Sequence, residues 1–79
     1  MKRRVYNAVL IGQSDHNLNY SDFQNLIIDL GFTFKRKNGS HAVYFHYGIG
    51  RFMNTQPVGN KAKGYQVKQL RDIIIKYNL

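Results

Sequence analysis

Apolar positions along this chain follow two different periods, and the changeover divides the sequence. Between Lys2 and Ile11, Val5, Ala8 and Val9 recur at helical spacing, and Gly12 offers a stop, which predicts a first helix. "QSDHNLNY" (Gln13–Tyr20) reads as a polar loop. In "YSDFQNLIIDLGF", Phe23, Leu26, Ile27 and Leu30 form an i, i+3, i+4, i+7 stripe, the buried face of a second helix. Ser21 is expected to cap it, with Gln24 completing a capping box, Asp22 favouring the positive N-terminal end and Gly31 stopping it in the left-handed conformation.

From Phe32 the period becomes two. Phe32 and Phe34 alternate with Thr33, Lys35 and Lys37, and Asn38-Gly39 is a strong hairpin signal. "SHAVYFHY" (Ser40–Tyr47) is a second strand, "GIG" (Gly48–Gly50) a turn, and "RFMNTQ" (Arg51–Gln56) a third strand closed by Pro57. "VGNKAKGY" reads as a basic loop before a last helix from about Tyr65, with Val67, Leu70, Ile73, Ile74 and Tyr77 on its buried stripe. A two-residue turn at Asn38-Gly39 would pair Lys37 with Ser40, Arg36 with His41 and Phe34 with Val43. Phe32, Phe34, Val43 and Phe45 would then share the core face, continued by Arg36 and His41 at the tip.

Helix, helix, three-stranded antiparallel meander, helix is an α+β order with the helices packed on one face of the sheet. Its central α-β-β-β-α part is the order of a double-stranded-RNA-binding domain. At 79 residues the chain is expected to be one domain, 1–79, with a thin core: an N-terminal extension, 1–19, and a main part, 20–79. The opening "MKRRVYNAVLIGQSD" has the charged head of a signal peptide, but Tyr6 and Asn7 break its short apolar run, so it is read as structure. Absence of Cys excludes disulfides and thiolate metal sites and fits a reducing, cytoplasmic setting. No apolar stretch approaches the ~20 residues of a membrane span.

Charge narrows the partners. Twelve Lys and Arg against four Asp and no Glu leave a net charge of +8, which attracts polyanions. Nucleic acid is the first candidate, an acidic protein the second, a membrane surface the third. A metal centre is not expected. His16, His41 and His46 and the four Asp show no close, same-face ligand spacing.

A histidine pair is a second chemical option, one ring taking a 2′-hydroxyl proton and the other protonating the leaving oxygen. His41 and His46 are five apart on one strand, on opposite faces and roughly 16 Å from one another, too far to flank one phosphodiester. Any ribonuclease would therefore use one principal histidine, and His41, beside Lys35, Arg36 and Lys37, is better placed than His46. Imidazole is the side chain suited to proton transfer at neutral pH. A histidine after Ser at a strand start also occurs as a partly exposed residue bonded to nearby backbone, and a basic triplet as a solvated strand edge. Lys61 and Lys63 supply a second basic loop, and Tyr44 or Tyr65 could reach a site as proton donor or stacking ring.

"LIIDLGFTFKRKNGSHAVYF" resembles the HicA toxins: an apolar helix, Gly-Phe, a basic strand, then Gly-Ser-His and an aromatic strand. "QPVGNKAKGYQVKQLRDIIIKYNL" resembles a HicA subgroup in the Lys-Ala-Lys, Tyr-Gln-Val-Lys-Gln stretch at the last helix. The likeness runs from about Tyr20 to Leu79. It implies a toxin of a type II toxin–antitoxin pair with a double-stranded-RNA-binding-like fold. Such a toxin cleaves mRNA independently of the ribosome and is silenced by a HicB-like antitoxin. The Gly-Ser-His histidine, here His41, would be catalytic, and no cofactor is implied. The phosphate would be held by Lys35, Arg36, Lys37, Ser40, Lys61 and Lys63. Residues 1–19 extend beyond the pattern, and Gly64 replaces a Pro of the subgroup, which predicts a looser start to the last helix. Two readings compete with the toxin: a non-catalytic RNA-binding module, and a protein-interaction module neutralised by an acidic partner.

Overall fold

In the computed structural model, which describes residues 1–79, helix α1 (Arg3–Ile11) buries Val5 and Val9, one turn apart. Gly12 closes it at φ 76°, its N–H reaching the Ala8 carbonyl at 3.1 Å. The stretch expected as a polar loop contains a short 3-10 turn (Asp15–Asn17) and buries Leu18. Asp15 is the reason: its two carboxylate oxygens accept from Nη1 and Nη2 of Arg71 at 2.9 and 3.0 Å, and Arg71 Nη1 also donates to the Val9 carbonyl. The bond to Asp15 raises the Arg71 pKa above its ordinary value. Fork-to-fork pairing of this kind is among the stronger polar contacts. It ties the N-terminal segment to the last helix.

Helix α2 (Tyr20–Asp29) starts earlier than its capping box implied. Asn19, not Ser21, is the cap, its Oδ1 accepting from the Asp22 N–H at 3.0 Å. Gln24 does not reach back to the cap; its Nε2 donates to the Tyr44 hydroxyl at 2.8 Å. The physical reason is tertiary. Tyr20 N–H bonds to the Asn60 carbonyl at 2.9 Å and Ala62 N–H to the Leu18 carbonyl at 2.8 Å, which fixes where the chain enters the helix. Asn is an excellent cap in that position.

The sheet is antiparallel in the order β1 (Thr33–Asn38), β2 (His41–His46), β3 (Arg51–Thr55). Asn38 pairs with His41, so the loop is Gly39-Ser40 and not Asn38-Gly39. Gly39, at φ 63°, takes the first loop position, where a type II′ turn needs positive φ. Arg36 then faces Val43 and Lys37 faces Ala42, while Phe34 faces Tyr44 across a bulge at Lys35. This corrects the expected faces. Ala42 and Tyr44 of β2 and Met53 and Thr55 of β3 point into the core. Val43 and Phe45 lie on the opposite face, and so does His41. The bulge explains the error: it leaves Phe34 on the inner face and turns Arg36 outward although the two are only two residues apart.

The segment expected as a basic loop holds a small second hairpin, β4 (Pro57–Val58) with β5 (Lys61–Ala62), which buries Ala62. Helix α3 (Gly64–Tyr77) follows, with Val67, Leu70, Ile73 and Ile74 inward and Tyr77 packed at the margin. Its start is not loose. The Lys63 carbonyl accepts from Gln66 and Val67 N–H at 3.0 and 3.1 Å, and the His16 ring covers Gly64 so closely that a Cβ there would stand 2.5 Å from Cε1.

One apolar core draws on all three helices and on β2, β3 and β5, α1 included, while β1 is exposed along its length. Phe23, Leu26, Ile27, Met53 and Leu70 are fully enclosed, each stabilising the fold by roughly 1.5–3 kcal/mol through burial. Two polar links cross it, Gln24 to Tyr44 and the 2.8 Å hydroxyl pair Tyr20–Thr55, and no buried side-chain polar atom lacks a partner. No helix is long and apolar enough to cross a membrane.

Candidate active site

His41 opens β2 at the tip of the first hairpin, exposed and opposite Asn38. The register that pairs Ala42 with Thr55 brings Gln56, the next residue of the chain, alongside it. Gln56 is the hub of this corner. Its Nε2 donates to Ser40 Oγ at 3.2 Å, and its Oε1 accepts from Lys63 Nζ at 2.7 Å. Its backbone N–H donates to Oε1 of the buried Gln66 at 2.9 Å. A side-chain path therefore runs from the hairpin tip to the first residue before α3. Lys63 also lies 5.8 Å from the centroid of the Tyr65 ring. At this helix end the Gly64 and Tyr65 N–H groups have no protein partner and the dipole is positive, an environment suited to an anion.

The other candidate residues divide. Arg36 shares the outer face with His41 and sits diagonally from it across the strands, a separation of about 7–8 Å between Cα atoms. Lys37 pairs with Ala42 and so leaves by the other side, exposed at the sheet margin. Lys35 is drawn away from His41, its ammonium bonded to the Tyr47 hydroxyl and over the Tyr47 ring at 5.2 Å. Lys61 is half-buried in β5, in a cleft that Lys63, His16, Val58 and Tyr65 also line. The structure thus links Ser40 to Lys63 through Gln56, sets Arg36 close by, and separates Lys35. Gln56 and Gln66 are absent from the sequence-based set. A lone Gln before Pro carries no local signal, and only the β2–β3 register could have pointed to it.

His46 and Tyr44 have structural tasks. Nδ1 of His46 accepts from Gly48 and Ile49 N–H at 3.1 and 3.3 Å. The proton therefore sits on Nε2, which donates to the Leu30 carbonyl at 3.1 Å, and Phe32 meets the ring edge-on at 5.1 Å. Tyr44 is enclosed, and burial pushes its phenol pKa up despite the hydrogen bond from Gln24. It stands on the inner face of β2, away from His41.

The charges are segregated. All four Asp lie outside the sheet and have cationic partners: Asp15 with Arg71, Asp22 with Lys2 and Arg4, Asp29 with the N-terminal amine, Asp72 with Lys68. From Leu30 to Arg71 there is no acidic residue, and none of Lys35, Arg36, Lys37, Lys61 and Lys63 is paired with a carboxylate. No protein-family model matches this chain, and neither does any curated protein or any solved structure.

Proposed function

We propose that the chain is a HicA-type toxin: a metal-independent, ribosome-independent endoribonuclease that cleaves mRNA in the cytoplasm and is held inactive by a HicB-like antitoxin. Its α2, three-stranded sheet and α3 have the order of a double-stranded-RNA-binding-like domain, and α1 completes the core beside them. The observation that carries the reading is the corner at His41. An exposed imidazole stands at a hairpin tip whose Ser40 is joined through Gln56 to Lys63 at a helix start, and no strand of the sheet carries a carboxylate.

In the proposed reaction His41 takes the proton of a ribose 2′-hydroxyl as the oxygen attacks the adjacent phosphorus. The O2′–P bond forms and the P–O5′ bond breaks, leaving a 2′,3′-cyclic phosphate and a 5′-hydroxyl. Lys63, Arg36 and the leading amides of α3 stabilise the charge that develops on the phosphate oxygens. The leaving oxygen takes its proton from a lysine or from water.

Purified protein and His41→Ala, incubated with a synthetic RNA in EDTA, test the proposal, alongside growth and transcript integrity after induction in bacteria. Cleavage and growth arrest lost with His41 support it; cleavage that survives the substitution rejects the mechanism. One feature favours a non-catalytic RNA-binding module instead: no side chain of the protein orients the His41 ring. Binding of the same RNA by wild-type protein, with no product formed, would establish that alternative.

A further inference from the structure

The outer face of the sheet carries aromatic rings that stand outside the core. Ala42, Tyr44, Met53 and Thr55 turn inward, while Phe45 and Phe52 are directly opposed on the outer side. Their ring centroids are 4.6 Å apart, and Tyr47 extends the row, meeting Phe45 edge-on at 4.8 Å. Phe52 is 53% exposed and Tyr47 65%. Three adjacent rings in water form an apolar patch that calls for a partner.

The surroundings of the patch select among partners. Lys35 rests on the Tyr47 ring, Arg36 stands opposite Val43 on the same face, and Asn54 interrupts the apolar surface between Phe52 and the tip. No strand of the sheet carries a carboxylate. Flat aromatic faces interleaved with unpaired cations match a ligand that offers planar apolar rings and negative charge together, which is single-stranded nucleic acid. A duplex presents its backbone and hides the faces of its bases.

We propose that Phe52, Phe45 and Tyr47 form a platform on which unpaired bases of RNA stack, with Lys35 and Arg36 holding the adjoining phosphates. This deepens the nuclease reading and rests on RNA being the ligand. His41 lies on the same face of β2 as Phe45, four residues along, or about 13 Å. A strand seated on the rings and running along β2 leads to the histidine. The platform would thus select unpaired RNA and set which nucleotides arrive at the scissile bond.

A fluorescein-labelled 2′-deoxy oligonucleotide of about ten nucleotides, single-stranded or annealed to its complement, separates binding from cleavage because it has no 2′-hydroxyl. By anisotropy, wild-type protein binds the single strand more tightly than the duplex. Phe52→Leu, which keeps apolar bulk but removes the π face, loses about tenfold or more of that affinity, Phe52→Trp retains it, and both keep the wild-type thermal midpoint. Equal affinity for single strand and duplex overturns the platform, as does unaltered binding by Phe52→Leu. Sedimentation showing a dimer that Phe52→Leu dissolves would assign the face to a second copy of the chain and also overturn it. A wild-type protein that binds the deoxy strand in this way but leaves RNA intact rejects the nuclease reading and retains the platform.

Discussion

The two ends of β2 carry the same residue type in opposite circumstances. At the Gly48 end, His46 is held by three backbone groups and by Phe32, and glycines press on it from two sides. A Cβ on Gly31 would stand 2.8 Å from its Nε2, and one on Gly48 2.9 Å from its Cε1. At the hairpin tip, His41 is exposed, and Gly39 beside it has nothing within 4 Å of where a Cβ would be. A histidine whose two nitrogens are both committed to backbone is an architectural part. One whose ring faces solvent among cations is available for chemistry.

Substitutions at the two ends should separate these roles. The largest effect is expected from His41→Ala: RNA cleavage falls by at least about a hundredfold, the lower range for a lost general acid–base group, while the thermal midpoint is unchanged. A loss of stability instead of activity would erase the distinction. Gly31→Ala comes next, because it combines φ 103° with the contact to His46. Gly39→Ala bears only the left-handed penalty, about 1–2 kcal/mol, so urea titration should rank Gly31→Ala as the more damaging.

His46→Ala should cost about 1–3 kcal/mol, the range for leaving buried partners unpaired. The activity per folded molecule should be unchanged, and a specific drop in activity would give His46 a chemical role. The smallest effect is expected from Gln56→Ala. It frees Ser40 and Lys63 without removing either, and a net hydrogen-bond contribution of about 0.5–1.5 kcal/mol corresponds to a loss of roughly two- to tenfold in cleavage. If Gln56→Ala were as inactive as His41→Ala, the glutamine would belong to the chemistry and not to its scaffold.

Legibility followed the range of the interactions. The apolar stripes of α2 and α3 were readable because helical packing repeats every turn, and their buried apolar residues are among those the period selects, with Tyr77 only partly covered and Gln66 buried outside the pattern. The first hairpin was located, but its register was not. Asn38-Gly39 and Gly39-Ser40 both suit a two-residue loop, and the choice rests on Phe34 meeting Tyr44 across the strands, with the Lys35 bulge absorbing the odd residue. The helix cap moved from Ser21 to Asn19 for a similar reason, since pairing with the segment around Asn60 lies forty residues away in the chain.

By itself, the amino-acid sequence determined the α+β order, the inward stripes of the helices, the excess of positive charge and the placing of a histidine at a turn among cations. These depend on neighbours within a few residues or on composition alone. Tertiary structure decided which side of the sheet faces water, and with it that His41, Phe45 and Phe52 share a surface. It decided that His46 is locked, that Asp15 holds Arg71, and that Gln56 links Ser40 to Lys63. Each of these rests on strand register or on contacts between distant segments, and a shift of one residue would reverse every face of a strand.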